Sequence, residues 1–290
     1  MEKENITANT FEKIVSSLGE PTYRGDCYAI YNADCLELLH SMPRDSVDLF
    51  FTSPPYNIGK EYEKIIPIQD YLNWSEKWIN EIYQATKPHG AFLYNVGYVS
   101  IPNIARAIPI PYLMWNRIKF FLNQEIIWNY GAGVATKHYL SPRNEKVLWY
   151  VKDKDNYCFN LDDIRDPNVL YPNQKKNGKL RCNTLGKNPS DVWQIAKVTS
   201  GANRASKERT KHPAQFPLDL CERIIKGFSS KGDVVVDPFL GSGSTIDSAI
   251  RHGRYSIGIE INNDYCKLAN ERVQNTISEL ESKHPELSLI

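Results

Sequence analysis

The sequence predicts an α/β protein built on a mostly parallel, doubly wound sheet. Strand-like apolar segments alternate with helical patterns along most of the 290 residues, as they do in chains made of strand–helix–strand units. A glycine-rich turn also follows one of the strands, which is typical of the point where such a sheet meets a ligand. The length suffices for one large domain with a substantial core.

Seven segments have the composition of strands and six have the apolar spacing of helices. The predicted strands are 28–32, 47–52, 91–96, 125–129, 146–151, 234–237 and 256–260. The predicted helices are 35–41, 69–86, 103–121, 217–228, 244–252 and 263–281. Within 124–151 a polar, Gly-containing loop joins two strands without a helix, which predicts an antiparallel pair at one edge of the sheet.

Composition and charge argue against several classes of protein. The first residues lack the apolar core of a signal peptide, and no run approaches the ~18 apolar residues of a membrane span. Six cysteines are widely scattered without zinc-site spacing, which predicts free thiols in a reducing cytoplasm and no metal site. The formal net charge is only +1, so affinity for nucleic acid would have to come from a local patch.

Residues 152–211 differ from the rest of the chain because they have little periodicity and are rich in Asn, Gly, Pro, Lys and Arg. One interpretation is a solvated insertion. We favour a basic surface that follows a phosphate backbone, since long irregular segments in compact folds are usually functional. The candidate DNA-binding residues are Lys175, Lys176, Lys179, Arg181, Arg204, Lys207 and Arg209.

A glycine-rich loop, residues 237–245, joins a short apolar strand to a helix. The next strand ends in Glu260, an acid at the position that binds ribose hydroxyls in nucleotide sites. The loop lacks the Gly-x-Gly-x-x-Gly pattern, and Asp237 would repel a pyrophosphate, so a nicotinamide dehydrogenase is disfavoured. These acids suit a cationic nucleoside of the S-adenosylmethionine type, although Asp237 could instead cap the helix.

Residues 52–59, Thr-Ser-Pro-Pro-Tyr-Asn-Ile-Gly, directly follow a predicted buried strand. The two prolines end the strand and contribute no backbone donors. Ser53 precedes them and Tyr56 follows, so the turn presents a hydroxyl, bare carbonyl groups and an aromatic face. This combination favours binding of a flat ring that carries an amine, and a plain turn is the alternative.

Taken together, these residues resemble the S-adenosylmethionine-dependent amino-methyltransferases of DNA, which methylate an exocyclic amine of cytosine or adenine. The resemblance covers most of the chain. Its motifs, in chain order, are Asn-Ala-Asp-Cys at 32–35, Thr-Ser-Pro-Pro-Tyr at 52–56, Gly-Lys-Asn-Pro-Ser-Asp-Val-Trp at 186–193, His-Pro-Ala-Gln-Phe-Pro at 212–217, Asp-Pro-Phe-Leu-Gly-Ser-Gly-Ser-Thr at 237–245 and Gly-Ile-Glu at 258–260.

The resemblance implies a Rossmann-like methyltransferase fold with a seven-stranded, mostly parallel sheet and one antiparallel strand. The catalytic motif precedes the cofactor loop, which looks like the permuted β order of motifs in this family. Residues 1–151 would form the catalytic part of the methyltransferase domain, 152–211 an irregular target-recognition insertion, and 212–290 the cofactor-binding part of the same domain.

The resemblance also implies an S-adenosylmethionine site. Asp237, Phe239, Gly241 and Gly243 would line the methionine side of the cofactor. Glu260 would hold the ribose, and Asp34 would approach the adenine amine. The segment 212–217 would close the pocket, although the family often has Lys at the position of Phe216. The candidate cofactor-binding residues are Asp34, Cys35, His212, Pro213, Phe216, Asp237, Pro238, Phe239, Gly241, Ser242, Gly243, Thr245 and Glu260.

The candidate catalytic residues are Ser53, Pro54, Pro55 and Tyr56. Ser53 and the Pro54 carbonyl can accept the two amine hydrogens, and Pro55 stiffens the turn. Tyr56 would stack on a base flipped out of duplex DNA. No cysteine follows a proline, so direct attack by nitrogen is preferred over the thiolate chemistry of carbon-5 methylation.

In the family, the Ser form of the motif goes mostly with N4-cytosine. We therefore expect a site-specific cytosine-N4 DNA methyltransferase, with N6-adenine as the alternative. Expected partners are double-stranded DNA and a cognate restriction endonuclease, in a prokaryotic cytoplasm, and the chain would be a monomer or a homodimer. An interpretation from another class is a non-catalytic Rossmann-like protein that binds DNA or cofactor without turnover.

Overall fold

Strands and helices alternate through most of the chain. The structure is a computed structural model that describes residues 2–131, 135–198 and 206–283. The helices are α1 (Glu2–Leu18), α2 (Cys35–Ser41), α3 (Ile68–Ala85), α4 (Ile110–Met114), α5 (Leu218–Phe228), α6 (Ser244–Arg251) and α7 (Asn263–Lys283). The strands are β1 (Tyr23–Gly25), β2 (Tyr28–Asn32), β3 (Val47–Thr52), β4 (Thr86–Val96), β5 (Tyr98–Ile101), β6 (Ala105–Pro109), β7 (Phe121–Asn129), β8 (Asn144–Val151), β9 (Lys175–Lys176), β10 (Lys179–Leu180), β11 (Val192–Gln194), β12 (Val234–Asp237) and β13 (Tyr255–Glu260).

Nine of the described strands form one sheet in the order β1-β2-β13-β12-β3-β4-β8-β7-β11. Neighbours are parallel except at β1, which is antiparallel to β2, and at β8, which is antiparallel to both β4 and β7. The C-terminal strand β12 lies between β13 and β3, and it pairs with β3 at Val236 and Phe50. The N-terminal and C-terminal parts therefore share one sheet, which confirms the permuted, mostly parallel arrangement.

Strand β3 shows how helices cover both faces of the sheet. All six of its residues are buried. Phe50 packs in a core that includes residues of α1, α2 and α3, whereas Leu49 and Phe51 pack with residues of α5 and α6. Successive side chains of a strand point to opposite faces, so the continuous apolar run correctly indicates burial on both sides.

The seven predicted strands are all present, and β2, β3 and β12 have the predicted bounds. Two short strands, β1 and β11, extend the sheet beyond them. The antiparallel pairing of β7 with β8 is confirmed, but the pair is not at the edge, because β11 adds to the outer side of β7. Helices α2, α3, α5, α6 and α7 are confirmed to within two residues at each end.

The helix predicted at 103–121 is wrong. Strands β5 and β6 form an antiparallel hairpin in this region, and only the short helix α4 follows. Proline disfavours helical backbone in the residue before it and lacks a donor. Pro102 directly precedes the segment, and Pro109 and Pro111 interrupt it. Asn103, in the hairpin turn, has a positive φ of 61°. The apolar spacing was therefore outweighed by these turn-forming residues.

Candidate active site

A cavity of about 1200 Å³ opens where β2, β3, β12 and β13 end. Loops that leave parallel strands converge at this edge, which is where ligands bind in open α/β sheets. All four predicted catalytic residues, Ser53, Pro54, Pro55 and Tyr56, line the cavity. Every predicted cofactor residue except Gly243 lines it too. The structure thus brings the two separate motifs to one space.

The Ser-Pro-Pro-Tyr turn is fixed from two sides. The Tyr71 hydroxyl of α3 donates a hydrogen bond of 2.8 Å to the Pro55 carbonyl. The Tyr56 ring lies against Gly97, which follows β4, and a Cβ at that glycine would come within 2.8 Å of the ring. Only glycine leaves room for the ring there, so the position of the turn depends on α3 and on the segment after β4.

Ser53 and Tyr56 belong to a polar network next to the cavity. Ser53 Oγ lies 2.7 Å from Tyr56 Oη, and Tyr56 Oη lies 3.0 Å from Glu145 Oε2. The Asn95 amide nitrogen donates to Tyr56 Oη at 2.6 Å and to Glu145 Oε2 at 2.8 Å. Lys197 Nζ donates to Glu145 Oε1 at 2.8 Å. The hydroxyl of the turn is therefore connected to a carboxylate that is itself ion-paired.

The Glu145 carboxylate favours the protonated forms of both the Tyr56 phenol and the Lys197 ammonium. Burial, together with the Glu145 charge, raises the pKa of Tyr56 well above its ordinary value, so the phenol keeps its proton. Burial alone would lower the pKa of Lys197, but the Glu145 carboxylate raises it, so the ammonium persists. Lys197 Nζ also lies 3.7 Å from the centroid of the Tyr130 ring, a favourable cation–π position.

Sequence reasoning did not identify Asn95, Glu145 or Lys197 as site residues. The antiparallel pairing of β4 with β8 brings the end of one strand, near Asn95, beside the start of the other, near Glu145. Lys197 follows β11, which pairs with β7. These pairings join distant segments without any local motif. The one available signal was a polar residue at the end of the buried strand β4.

Asp237, the last residue of β12, connects the two halves of the site. Its carboxylate accepts hydrogen bonds from the hydroxyls of Thr52 at 2.6 Å and Thr245 at 2.7 Å, and from the Phe239 amide at 3.1 Å. Burial raises the pKa of Asp237 to about 6, against the lowering effect of these bonds. A cation in the cavity would stabilise the ionised form further.

Two other carboxylates have fixed positions on the cavity wall. Glu260 accepts from the backbone amide of Gly241 at 2.8 Å and from that of Asn262 at 2.9 Å. Burial raises the pKa of Glu260, although these amide contacts lower it. Asp34 is the N-cap of α2 and accepts from the Leu36 amide at 2.8 Å. The carboxylates therefore mark the wall formed by β13 and the start of α2.

The segment before α5 forms another wall of the cavity. The His212 ring stacks on Tyr62 with centroids 5.9 Å apart and meets Tyr265 edge-on at 4.5 Å. Burial lowers the pKa of His212 to about 4, so the ring is neutral at physiological pH. Phe216 stacks on Phe51 of β3 at 4.9 Å. Aromatic packing thus fixes the segment against the sheet.

Gly243 is the one predicted cofactor residue that does not line the cavity. It is the N-cap of α6 and has a left-handed backbone with a φ of 77°. A Cβ at this position would lie 2.8 Å from the Cβ of Ala269 in α7. Glycine is therefore needed for both the conformation and the close approach. The alternative role of Asp237 as a helix cap is not observed, because α6 has no side-chain cap.

The predicted DNA-binding residues lie away from the cavity wall. Lys175, Lys176 and Lys179 are exposed on the small hairpin formed by β9 and β10. Exposed side chains also include Arg181, Lys207 and Arg209, and none of these six residues lines the cavity. Arg204 lies outside the described residues.

The residues of the cavity fit a cationic nucleoside. A buried carboxylate with a raised pKa, Asp237, gains from a positive charge nearby, and further carboxylates at Glu260 and Asp34 line the same space. In the part of the chain that the structure describes, no group of three or more His, Cys, Asp or Glu side chains could hold a metal ion. No helix within the described ranges is long and apolar enough to cross a membrane.

Sequence comparisons identify close relatives. A model of the DNA methylase family of N6- and N4-methyltransferases matches residues 47–271. The Type II methyltransferase M.ScaI of Streptomyces caespitosus is 57% identical over 261 residues, which cover 90% of this chain and 86% of that protein. The DNA adenine methyltransferase YhdJ of Escherichia coli (strain K12) is 34% identical over 264 residues, with 88% and 85% covered.

Solved structures share the fold. The cytosine-N4-specific PvuII DNA methyltransferase superposes with a TM-score of 0.68 at 24% identity, over 87% of this chain and 88% of that one. The complex of M1.HpyAVI with S-adenosylmethionine gives a TM-score of 0.56 at 25% identity, over 85% and 98%. This chain therefore belongs to the DNA methylase family of N6- and N4-methyltransferases, with S-adenosylmethionine as its cofactor.

Proposed function

We propose that this protein transfers the methyl group of S-adenosylmethionine to the exocyclic N4 amine of cytosine at a specific sequence in duplex DNA. The observation that carries the proposal is the common cavity of about 1200 Å³, which is lined by both the Ser-Pro-Pro-Tyr turn and the glycine loop. One motif suits an amine on a flat ring and the other suits a cationic methyl donor. A shared space is what transfer between them requires.

The acidic walls would hold the cofactor. Asp237 would face the positively charged methionine part, Glu260 would accept hydrogen bonds from the ribose, and Asp34 would face the adenine amine. When bound, S-adenosylmethionine supplies a methyl group activated by a positively charged sulfur. His212 and Phe216 would exclude water from this side, since both are held by aromatic stacking.

The turn would prepare the amine for attack. An exocyclic amine is a weak nucleophile because its lone pair is delocalised into the ring. Hydrogen bonds to Ser53 Oγ and to the Pro54 carbonyl would draw both amine hydrogens out of the ring plane and favour a pyramidal nitrogen. The bond from Tyr71 to Pro55 keeps these acceptors in place, and such alignment contributes much of the rate of a transfer reaction.

The amine lies inside a duplex, so the base would have to leave the stack. Flipping costs a few kcal/mol, which stacking and edge contacts in the pocket offset. Tyr56 and Tyr130 line the cavity and would supply aromatic surface for such contacts. The exposed lysines of the β9–β10 hairpin would contact the phosphate backbone.

The preference for cytosine rests on Ser53, because cytosine and adenine both present an amine beside a ring acceptor. N6-adenine is the second candidate, and the 34% identity with an adenine methyltransferase supports it. We also infer a role in a restriction-modification system, beside an endonuclease of the same specificity, because M.ScaI is a Type II methyltransferase.

Transfer of a labelled methyl group tests the function. Duplex DNA of mixed sequence is incubated with the protein and labelled S-adenosylmethionine and is then digested to nucleosides. We expect the label in N4-methylcytosine. Label in N6-methyladenine would overturn the choice of base, and absence of label from DNA would favour a non-catalytic binding protein.

A further inference from the structure

The proposed function leaves the Glu145 carboxylate without a role. Its side chain is only 14% exposed, and it lines the cavity beside the catalytic turn. Its two oxygens lie within hydrogen-bond distance of three side chains, those of Tyr56, Asn95 and Lys197. Removing a carboxylate from water is costly unless it is paired and hydrogen-bonded, so a site that retains one needs a reason.

The carboxylate of Glu145 favours one direction for the hydrogen bonds of this network. Carboxylate oxygens only accept, so the Asn95 atom that lies 2.8 Å from Glu145 must be the amide nitrogen. The single proton of Tyr56 points to Glu145 Oε2 at 3.0 Å. Tyr56 Oη then accepts from its two other close neighbours, the Asn95 amide nitrogen at 2.6 Å and Ser53 Oγ at 2.7 Å.

This direction determines how Ser53 can bind an amine. A free serine hydroxyl could donate to the ring nitrogen of a base as readily as accept from its amine. With its proton committed to Tyr56, Ser53 presents lone pairs to the cavity and acts as an acceptor. The chain of hydroxyls thus gives serine the polarity that a carboxylate would have at the same position.

We propose that Glu145 acts through Tyr56 to hold Ser53 as a hydrogen-bond acceptor and receives the proton that the amine loses after methyl transfer. This inference rests on the proposed function, because it requires an amine at Ser53. Glu145 is a positioning residue in the first role and the end of a proton relay in the second. Lys197 holds the other carboxylate oxygen, and Asn95 fixes the phenol between the two ends.

The step balances in atoms and charge. The amine nitrogen bonds to the methyl carbon as the bond from that carbon to sulfur breaks, and its electron pair stays on sulfur. The methylated nitrogen then carries one proton too many. This proton passes to Ser53 Oγ while the Ser53 proton passes to Tyr56 and the Tyr56 proton passes to Glu145 Oε2. The base is left neutral, and solvent later removes the proton from the carboxylate.

A double-mutant cycle on the full-length protein tests the relay. Single-turnover methyl transfer to duplex DNA is measured for wild type, Glu145→Gln, Tyr56→Phe and the double variant. We expect each single variant to be slower by roughly 10²-fold. The double variant should be no slower than the slower single variant, because both act in one chain. Glu125→Gln, on the neighbouring strand β7 and outside the cavity lining, is the matched control and should keep the wild-type rate.

The outcomes separate the relay from the proposed function. A wild-type rate in Glu145→Gln, or losses that multiply in the double variant, would overturn the relay. If Glu145→Gln fails to bind S-adenosylmethionine, Tyr56→Phe decides alone, since it leaves the ion pair with Lys197 in place, and a wild-type rate there also overturns the relay. If the product is N6-methyladenine, only the proposed choice of cytosine is overturned. A wild-type protein that methylates no DNA amine would overturn both the proposed function and the relay.

Discussion

The glycine loop of the cavity and the basic hairpin (residues 171–181) are both glycine-containing turns, yet they are built in opposite ways. Every residue of the loop is buried except Phe239, and every residue of the basic hairpin is exposed. The loop is held by packing and by carboxylate contacts, so it can fix atoms for chemistry. The basic hairpin has few packing constraints, which suits a surface that must adapt to a polymer.

Ser53→Ala should produce the largest effect of these variants, and the effect should be on turnover. The variant loses the acceptor for one amine hydrogen, so we expect turnover to fall on the order of 10³-fold. Binding of S-adenosylmethionine and of DNA should persist. Single-turnover kinetics and equilibrium binding check this, with Ser282→Ala on α7 as the control. Unchanged turnover would remove Ser53 from the mechanism.

Two glycines with nearly equal φ values compare the regions directly. Gly243 and Gly178 have φ values of 77° and 78°, but a Cβ would clash with Ala269 at Gly243 and would meet nothing within 4 Å at Gly178. Gly243→Ala should cost about 3 kcal/mol of unfolding free energy, from strain and overpacking together. Gly178→Ala should cost about 1 kcal/mol or less. Denaturant unfolding measures both, and equal losses would contradict the comparison.

Binding of the cofactor should depend on pH through Asp237. Its pKa of about 6 means that the carboxyl group is protonated in acid, and a cationic ligand must then displace that proton. Affinity for S-adenosylmethionine should therefore fall about tenfold from pH 7.5 to pH 5. His212 contributes little in this range, since its pKa is about 4. Calorimetry checks this, and Asp237→Asn should lose most of the pH dependence; a variant that keeps it would point to Glu260.

The smallest expected effect concerns the basic hairpin. Lys175→Gln with Lys176→Gln should weaken DNA binding a few-fold and reduce its salt dependence by about two phosphate contacts. The single-turnover rate at saturating DNA should not change. Binding isotherms at several salt concentrations measure this, with Lys13→Gln and Lys77→Gln on α1 and α3 as the control pair. An unchanged salt dependence would show that the basic hairpin does not contact DNA.

Sequence patterns succeeded where one segment carried its own signal. The runs 47–52 and 234–237 predict the bounds of β3 and β12 correctly. Both faces of these strands are covered, so the run of buried residues is continuous along each strand. The basic hairpin had an unused local signal, the Asn177-Gly178 turn, whose positive φ values of 53° and 78° match a two-residue hairpin connection. At 98–109 the apolar spacing favours a helix, but the prolines and the turn at Asn103 produce a hairpin.

The residues of the candidate site also differ in whether a local sequence signal identifies them. The residues of the catalytic turn and glycine loop could be predicted because each motif is continuous in the chain. Glu145 and Lys197 could not, because only the pairing of β4 with β8 and of β7 with β11 brings them to Tyr56. Gly243 was assigned to the cofactor by its motif, whereas its position against α7 depends on packing that no local pattern shows.

A crystal structure with duplex DNA and S-adenosylhomocysteine would test the account most directly. We predict one cytosine outside the duplex stack, with its N4 atom within hydrogen-bond distance of both Ser53 Oγ and the Pro54 carbonyl, and its ring against Tyr56. The product cofactor should lie between Asp237 and Glu260. A target base that remains stacked, or one whose amine points away from Ser53, would contradict the account.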